Sequence, residues 1–258
     1  MRRKLFLLGL TAICVCAVSL SHAFEEEDIL VYYSFDKLSG TKVSDDSDNG
    51  NDAELVGKGS LVDGAFNKAI HLNGGVVVME QNDFIVPIGE KTEITMEAWF
   101  FLNQHAAYDG IISIEAAAGG CCEFRTMVDP SFNPFWDAGH HADKKLANFK
   151  FELKEWYHYV LVADGKDGKI YVNGKFIGEV PENFKWPKFK EAAIYIGAGE
   201  NPNLHKVEDA IIDEVVIYAA ALTEEEVREN MELSIPVVLA VEARDKLAVT
   251  WGELKTDL

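Results

Sequence analysis

Hydrophobic and polar residues alternate with a period of two along much of this chain, the pattern of β-strands with one buried face. In ITMEAWFFLN, Ile94, Met96, Ala98, Phe100 and Leu102 fall on one face, while Thr95, Glu97, Trp99, Phe101 and Asn103 fall on the other. The first face is core; the second mixes aromatic and polar groups. Comparable short runs recur between turn residues: ILVYYSFD, KAIHL, GVVVME, GIISIEA, CEFRTMV, NFKFELK, WYHYVLVA, KIYVNG, KFIGEV and AIYIG. The first of these is expected to be a strand from Ile29 to Asp36.

Asn173-Gly174 stands between two such runs and supplies both positive-φ positions of a type I′ turn, so residues 169–180 are expected to form a hairpin. With WYHYVLVA before it, the hairpin extends to a three-stranded meander. VSDDSDNGNDAEL, rich in Asp, Asn, Ser and Gly, reads as an oxygen-rich loop. It imitates the first half of an EF-hand but has Val56 where that loop needs a bidentate glutamate, which excludes an EF-hand.

The stretch IIDEVVIYAAALTEEEVR reads as a closing core strand, a corner and a helix. Thr223 and Glu226 have capping-box spacing, and the acids of the first turn suit the helix dipole. Asp213 sits within the apolar strand, where a buried charge requires a partner. The expected fold is therefore all-β, an antiparallel β-sandwich of jelly-roll type with one short C-terminal helix. It occupies residues 24–233, with a tail over 234–258 and no internal repeat.

Composition changes this picture at the N-terminus. MRRK, then an apolar run, then SLSHA have the zones of a secretory signal over residues 1–23, with Ser21 and Ala23 placed for cleavage before Phe24. The run is too short to span a bilayer, so the expected location is secreted, periplasmic or cell-surface, without membrane insertion after cleavage. The chain of 258 residues has a formal net charge of −19, and loss of this leader removes only basic side chains. Such a charge disfavours nucleic acid and anionic membrane as partners.

Taken in order, YYSFD, VSDDSDNGNDAELVG, GAFNKAIHLNGG, ITMEAWFF, WYHYVLVADGKDGKIYVNGKFIG, AAIYIGAG and AIIDEVVIYAAALTEEEV resemble the LamG-like jelly roll of the concanavalin A-like lectin/glucanase superfamily. The resemblance implies two face-to-face antiparallel sheets, a front where relatives bind or cleave glycans, and a closing strand near the opening one. It also implies a structural calcium site, with Asp213 as ligand and Asp36 and the loop around Asp45 to Asn51 as further oxygen donors. Calcium takes about six to eight oxygens, which such a loop could supply.

Catalytic motifs are another matter. No strand carries the E-x-D-x-x-E spacing that places two acids about a glycosidic bond, and Glu208–Asp209 and Asp213–Glu214 are adjacent pairs whose side chains diverge on a strand. No nucleophile elbow, phosphate-binding glycine loop or zinc-protease helix is present.

Residues 119–145 are the least ordinary segment. Cys121 and Cys122 are the only cysteines beyond the leader, and a vicinal disulfide, an intermolecular bond and a reduced pair are all open to them, the first preferred after Gly119-Gly120. His140 and His141 with these cysteines make an awkward zinc set, since adjacent side chains diverge. Arg125, Trp136, His140 and His141 combine stacking faces with hydrogen-bond donors, the chemistry of a glycan site. The leading expectation is a non-catalytic module for a carbohydrate or other cell-surface ligand; a glycoside hydrolase or lyase of this fold and a structural protein-interaction component are the alternatives.

Overall fold

A computed structural model describes residues 24–47, 49–85, 93–105, 107–116, 123–138, 144–181, 191–237 and 239. A short 3-10 turn at Glu26–Asp28 precedes the strands β1 (Ile29–Tyr33), β2 (Lys42–Val43), β3 (Ala53–Val56), β4 (Gly59–Asp63), β5 (Lys68–Leu72) and β6 (Val76–Ile85). Next come β7 (Ile94–Leu102), β8 (Asp109–Ala116), β9 (Glu123–Val128), β10 (Pro134–Ala138) and β11 (Lys144–Lys145). The chain closes with β12 (Trp156–Ala163), β13 (Asp167–Val172), β14 (Lys175–Pro181), β15 (Glu191–Ile196), β16 (Ala210–Tyr218) and the helix α1 (Glu224–Glu232).

These strands make two antiparallel sheets. The first runs β14-β13-β12-β7-β16-β5-β4, with β1 also on β16; the second runs β11-β10-β9-β8-β15-β6-β3-β2. The expected sandwich is present, and opening and closing strands pair directly, Tyr33 opposite Val215 and Ile29 opposite Tyr218. The core face read from β7 is the observed one: Ile94, Met96, Ala98, Phe100 and Leu102 are all buried, facing residues such as Ile114, Phe124 and Ile194 of the second sheet.

Local signals explain the ends of several elements. Asn173 at φ 50 and Gly174 at φ 67 join β13 to β14 as the I′ turn requires. In α1, Thr223 Oγ1 accepts from the Glu226 amide at 3.3 Å and Glu226 Oε2 accepts from the Thr223 amide at 2.7 Å, completing the capping box. The opening strand stops at Tyr33, short of Asp36, because Phe35 turns to φ 54. NFKFELK is not a strand: Phe149 and Phe151 reach the core with the expected alternation, but the segment has no ladder partner and Lys154 turns at φ 65. Alternating burial is met there by an irregular edge loop.

The helix covers only half of the outer face of the first sheet. Val227 and Leu222 pack with Val160, Val162, Val216 and Tyr218, joined by Phe24 and by Ile235 from the start of the expected tail. The other half of that face, around Trp99, Phe101 and Trp156, is left partly exposed.

Candidate functional site

On one edge, β16 pairs with β5 through Ala210–Ile212 and then with β1 through Val215–Tyr218. At the change of partner the strand bulges, and Glu214 adopts φ 47. The extra residue lets two consecutive acids enter the gap between β1 and β5, which the plain alternation of a strand would forbid.

Asp213 is fully buried. Its carboxylate accepts from the amides of Phe66 and Glu214, each at 2.9 Å. Burial, reinforced by the charge of Asp36, pushes its carboxyl up to about 7 against the pull of those amides. Asp36 accepts from the Lys68 amide at 3.1 Å, so the two acids clasp opposite ends of the turn leading into β5. Gly64 is part of the same device, because a Cβ there would collide with Asp213 Oδ2. Glu214 accepts from Tyr32 Oη at 2.9 Å, and burial, with Asp213 nearby, pushes its carboxyl up to about 8.

The loop expected to add metal ligands is tied to the opening strand and the residue after it. Asp45 accepts from the amides of Tyr32, Ser47 and Asn51, and Asp46 accepts from the Ser34 hydroxyl at 2.6 Å. A cavity of about 550 Å³ opens beside them, lined by Tyr32, Ser34, Asp36, Lys37, Asp46 and Glu214 among others. The donor chemistry at Asp36 and Asp213 fits a hard cation, which would relieve the repulsion between two neighbouring carboxylates. Among the described residues no three acid, histidine or cysteine side chains converge as a metal group, so the rest of a shell would have to come from backbone carbonyls and solvent.

Of the glycan residues expected from sequence, Trp136 and Arg125 fall among the described residues. Trp136 is fully buried, its ring filling the space left by Gly168 of the opposite sheet, so it is a core residue with no stacking face towards solvent. Arg125 lies on the second sheet, 3 % exposed, with Nε 2.6 Å from Glu115 and Nη1 3.5 Å from Glu200. It is held in an ion-pair network with these two glutamates. His140, His141, Cys121 and Cys122 lie outside the described residues.

A candidate surface that the sequence reading missed lies on the uncovered half of the first sheet. Ser60, His71, Ile211, Phe101 and Trp156 stand in register across β4, β5, β16, β7 and β12. In the next row, Trp99 stands between Asp213 and His158. The rings pack edge to face or tilted: Phe101 on Trp156 at 5.6 Å, Trp99 on Trp156 at 6.5 Å and Phe66 on Trp99 at 6.0 Å. All four remain partly exposed. Along the border, Asp209 accepts from Asn103 at 2.8 Å and pairs with His71 Nε2 at 2.7 Å, and the His71 bond leads the causes that hold its carboxyl below the usual range. The alternation in ITMEAWFFLN did mark Trp99 and Phe101 as facing away from the core. Joining them to Trp156 and His71 requires the strand register.

A jelly roll with this topology defines a class of protein, and the sequence agrees. The profile of the concanavalin A-like lectin/glucanases superfamily matches residues 74–228, and the chain belongs to that superfamily. No curated protein sequence matches significantly. Among solved structures, domain 4 of AbnA, an extracellular arabinanase from Geobacillus stearothermophilus solved with arabinotriose, is similar at 19 % identity and a TM-score of 0.63, covering 78 % of this chain and 97 % of that one. The binding domain of Paraclostridial Mosquitocidal Protein 1 is similar at 17 % identity and TM-score 0.61, and that of botulinum neurotoxin DC, solved with rat synaptotagmin II, at 14 % and 0.61. Each of these two matches covers 80 % of this chain, which spans only 52 % of the matched chain. At these identities the likeness is one of fold.

Proposed function

We propose that this chain is an exported, non-catalytic carbohydrate-binding module whose ligand lies on the aromatic row of the first sheet. The observation that carries the reading is the in-register placement of His71, Ile211, Phe101 and Trp156, all partly exposed, beside a fixed Asp209–Asn103–His71 border. Sugar rings offer C–H faces to aromatic side chains and hydroxyls to such carboxylate, amide and imidazole groups. The arabinotriose held by the arabinanase domain supports a glycan ligand for this fold. Export is supported by the leader-like residues 1–23.

A calcium ion would be held by Asp36 and Asp213 and would neutralise charge at the strand switch. Asp213 also holds the Phe66 amide, and the Phe66 ring packs on Trp99, so the ion would firm one end of the aromatic surface.

A glycan array probed with the wild-type protein and a Phe101→Ala/Trp156→Ala variant tests the reading. Retention of a defined group of glycans by the wild type and its loss in the folded variant is the expected result. Binding that survives the double substitution, or a wild type that retains no glycan, refutes it.

A further inference from the structure

We infer that removal of the leader creates a buried ion pair: the α-ammonium of Phe24, freed by cleavage after Ala23, pairs with Glu226 and ties the first residue of the exported chain to α1. This rests on the reading of residues 1–23 as an export leader and is independent of the ligand on the sheet face.

Phe24 is placed as few chain starts are. The first residues of a domain are ordinarily loose unless something ties them down, yet Phe24 is only 1 % exposed. Its ring meets Tyr218 edge to face, with 5.1 Å between centroids, and it belongs to the apolar cluster of Leu222, Val227 and Ile235. The turn that follows is tied as well. The Glu25 amide donates to Asp28 Oδ2 at 3.1 Å, and the Asp28 carbonyl accepts from the Ala219 amide at 2.7 Å, just beyond β16.

Glu226 is equally enclosed, at 2 % exposure. Its Oε2 serves the helix cap, accepting from the Thr223 amide and hydroxyl, each at 2.7 Å. Its Oε1 accepts from the Phe24 nitrogen at 3.3 Å. For an amide donor that is long, beyond the ordinary range of about 2.7–3.2 Å, whereas an ammonium approaches a carboxylate to about 2.7–2.9 Å.

Hydrolysis of the Ala23–Phe24 bond by a leader peptidase adds the hydroxyl of water to the Ala23 carbonyl carbon and its proton to the Phe24 nitrogen. The amine so released, with an ordinary pKa of about 8, takes a further proton from solvent near neutral pH. A neutral donor thus becomes a cation within reach of a buried carboxylate, and charge-assisted bonds of this kind are roughly twice as strong as neutral ones. Glu226 is the N3 residue of α1, so the pair acts on the first turn of the helix that covers half of the sheet face. The uncleaved chain keeps only the neutral bond.

The chain, expressed with its own leader and recovered from outside the cytoplasm, tests the inference, with its first residue read by N-terminal sequencing. Phe24 is the expected start. The recovered protein is then acetylated at its α-amine, which restores a neutral amide like that of the uncleaved bond, and is melted beside the untreated protein. Glu226→Gln, treated in the same way, is the second arm, because glutamine also serves a capping box and keeps the helix start intact. Acetylation is expected to lower the melting temperature of the wild type by about 3–8 °C. In Glu226→Gln the fall is expected to be less than about 1 °C. An equal fall in both proteins, or no fall in either, overturns the ion pair while leaving export and the glycan site standing. A start at any other residue overturns the placement of the cleavage and the pair with it. Protein that stays in the cytoplasm with its leader attached refutes export as well.

Discussion

The imidazole of His158 lies with its ring centroid 5.2 Å from that of Trp99, directly opposite it on the neighbouring strand. His158 Nε2 pairs with Glu97 at 2.7 Å, and Glu97 also accepts from Asn230 Nδ2 at 2.9 Å and from Tyr218 Oη at 3.2 Å. All four residues are buried, and Asn230 belongs to α1. One polar network therefore ties the covering helix to the edge of the aromatic row, although the two halves of the sheet face differ in chemistry.

Removing the helix end of this network should be felt at the row. Asn230→Ala takes a donor from a buried carboxylate, an effect of about 1–3 kcal/mol on stability, and should also weaken ligand binding. Thr223→Ala destabilises the same helix by about 1 kcal/mol through its cap but touches neither Glu97 nor His158. Chemical denaturation and ligand titration of both variants separate the two effects. Equal loss of affinity in both would mean that helix stability alone matters.

Trp136 gives a contrasting prediction. Trp136→Ala empties a fully enclosed ring site and should lower stability by about 3–5 kcal/mol, while the fraction that remains folded keeps its affinity for ligand. Gly168→Ala should be similarly harmful, since a methyl there collides with the indole. A stable Trp136→Ala protein that has lost binding would restore this tryptophan to the ligand site.

In metal-free protein, stability should fall as pH rises from about 4 to about 8. Asp213 and Glu214 have folded values of about 7 and about 8, above their ordinary 3.8 and 4.5, so the folded chain keeps protons that the unfolded chain has released. Where the folded state binds more protons, the stability contribution present at low pH is lost as pH rises through the folded values. Asp213→Asn and Glu214→Gln should each flatten this slope. Thermal melts across the window check the sign; a melting temperature that climbs from pH 5 to pH 8 contradicts the assignment.

Calcium should act in the opposite sense at the top of that window. At a hundredfold excess over its dissociation constant, one bound ion stabilises by about 2.7 kcal/mol. Chelation should remove that gain in the wild type and leave Asp36→Ala/Asp213→Asn unaffected. Identical melts with and without calcium would leave amide capping as the only role of Asp213.

Local chemistry was legible in the sequence wherever a signal acts within a few residues. The Asn173-Gly174 turn, the Thr223–Glu226 cap and the buried face of β7 are of this kind, and the demand that Asp213 have a partner is met by two amides. The bulge at Glu214 was not legible, because it arises from the change of partner strand from β5 to β1. Trp136 lies in the core because distant Gly168 makes room for it, and no property of its own neighbours records that. The aromatic row likewise depends on the register that brings Trp156 beside Phe101 and His71 beside Ile211.

The most direct test of the aromatic row as the ligand site is the response of the tryptophan indole N–H signals during titration with a bound glycan, read by two-dimensional NMR and assigned by single substitution. The signals of Trp156 and Trp99 should shift progressively with ligand while that of the buried Trp136 stays in place. A ligand that moves Trp136 or residues around Arg125 and leaves Trp156 and Trp99 unmoved would place binding on the opposite sheet and contradict the account.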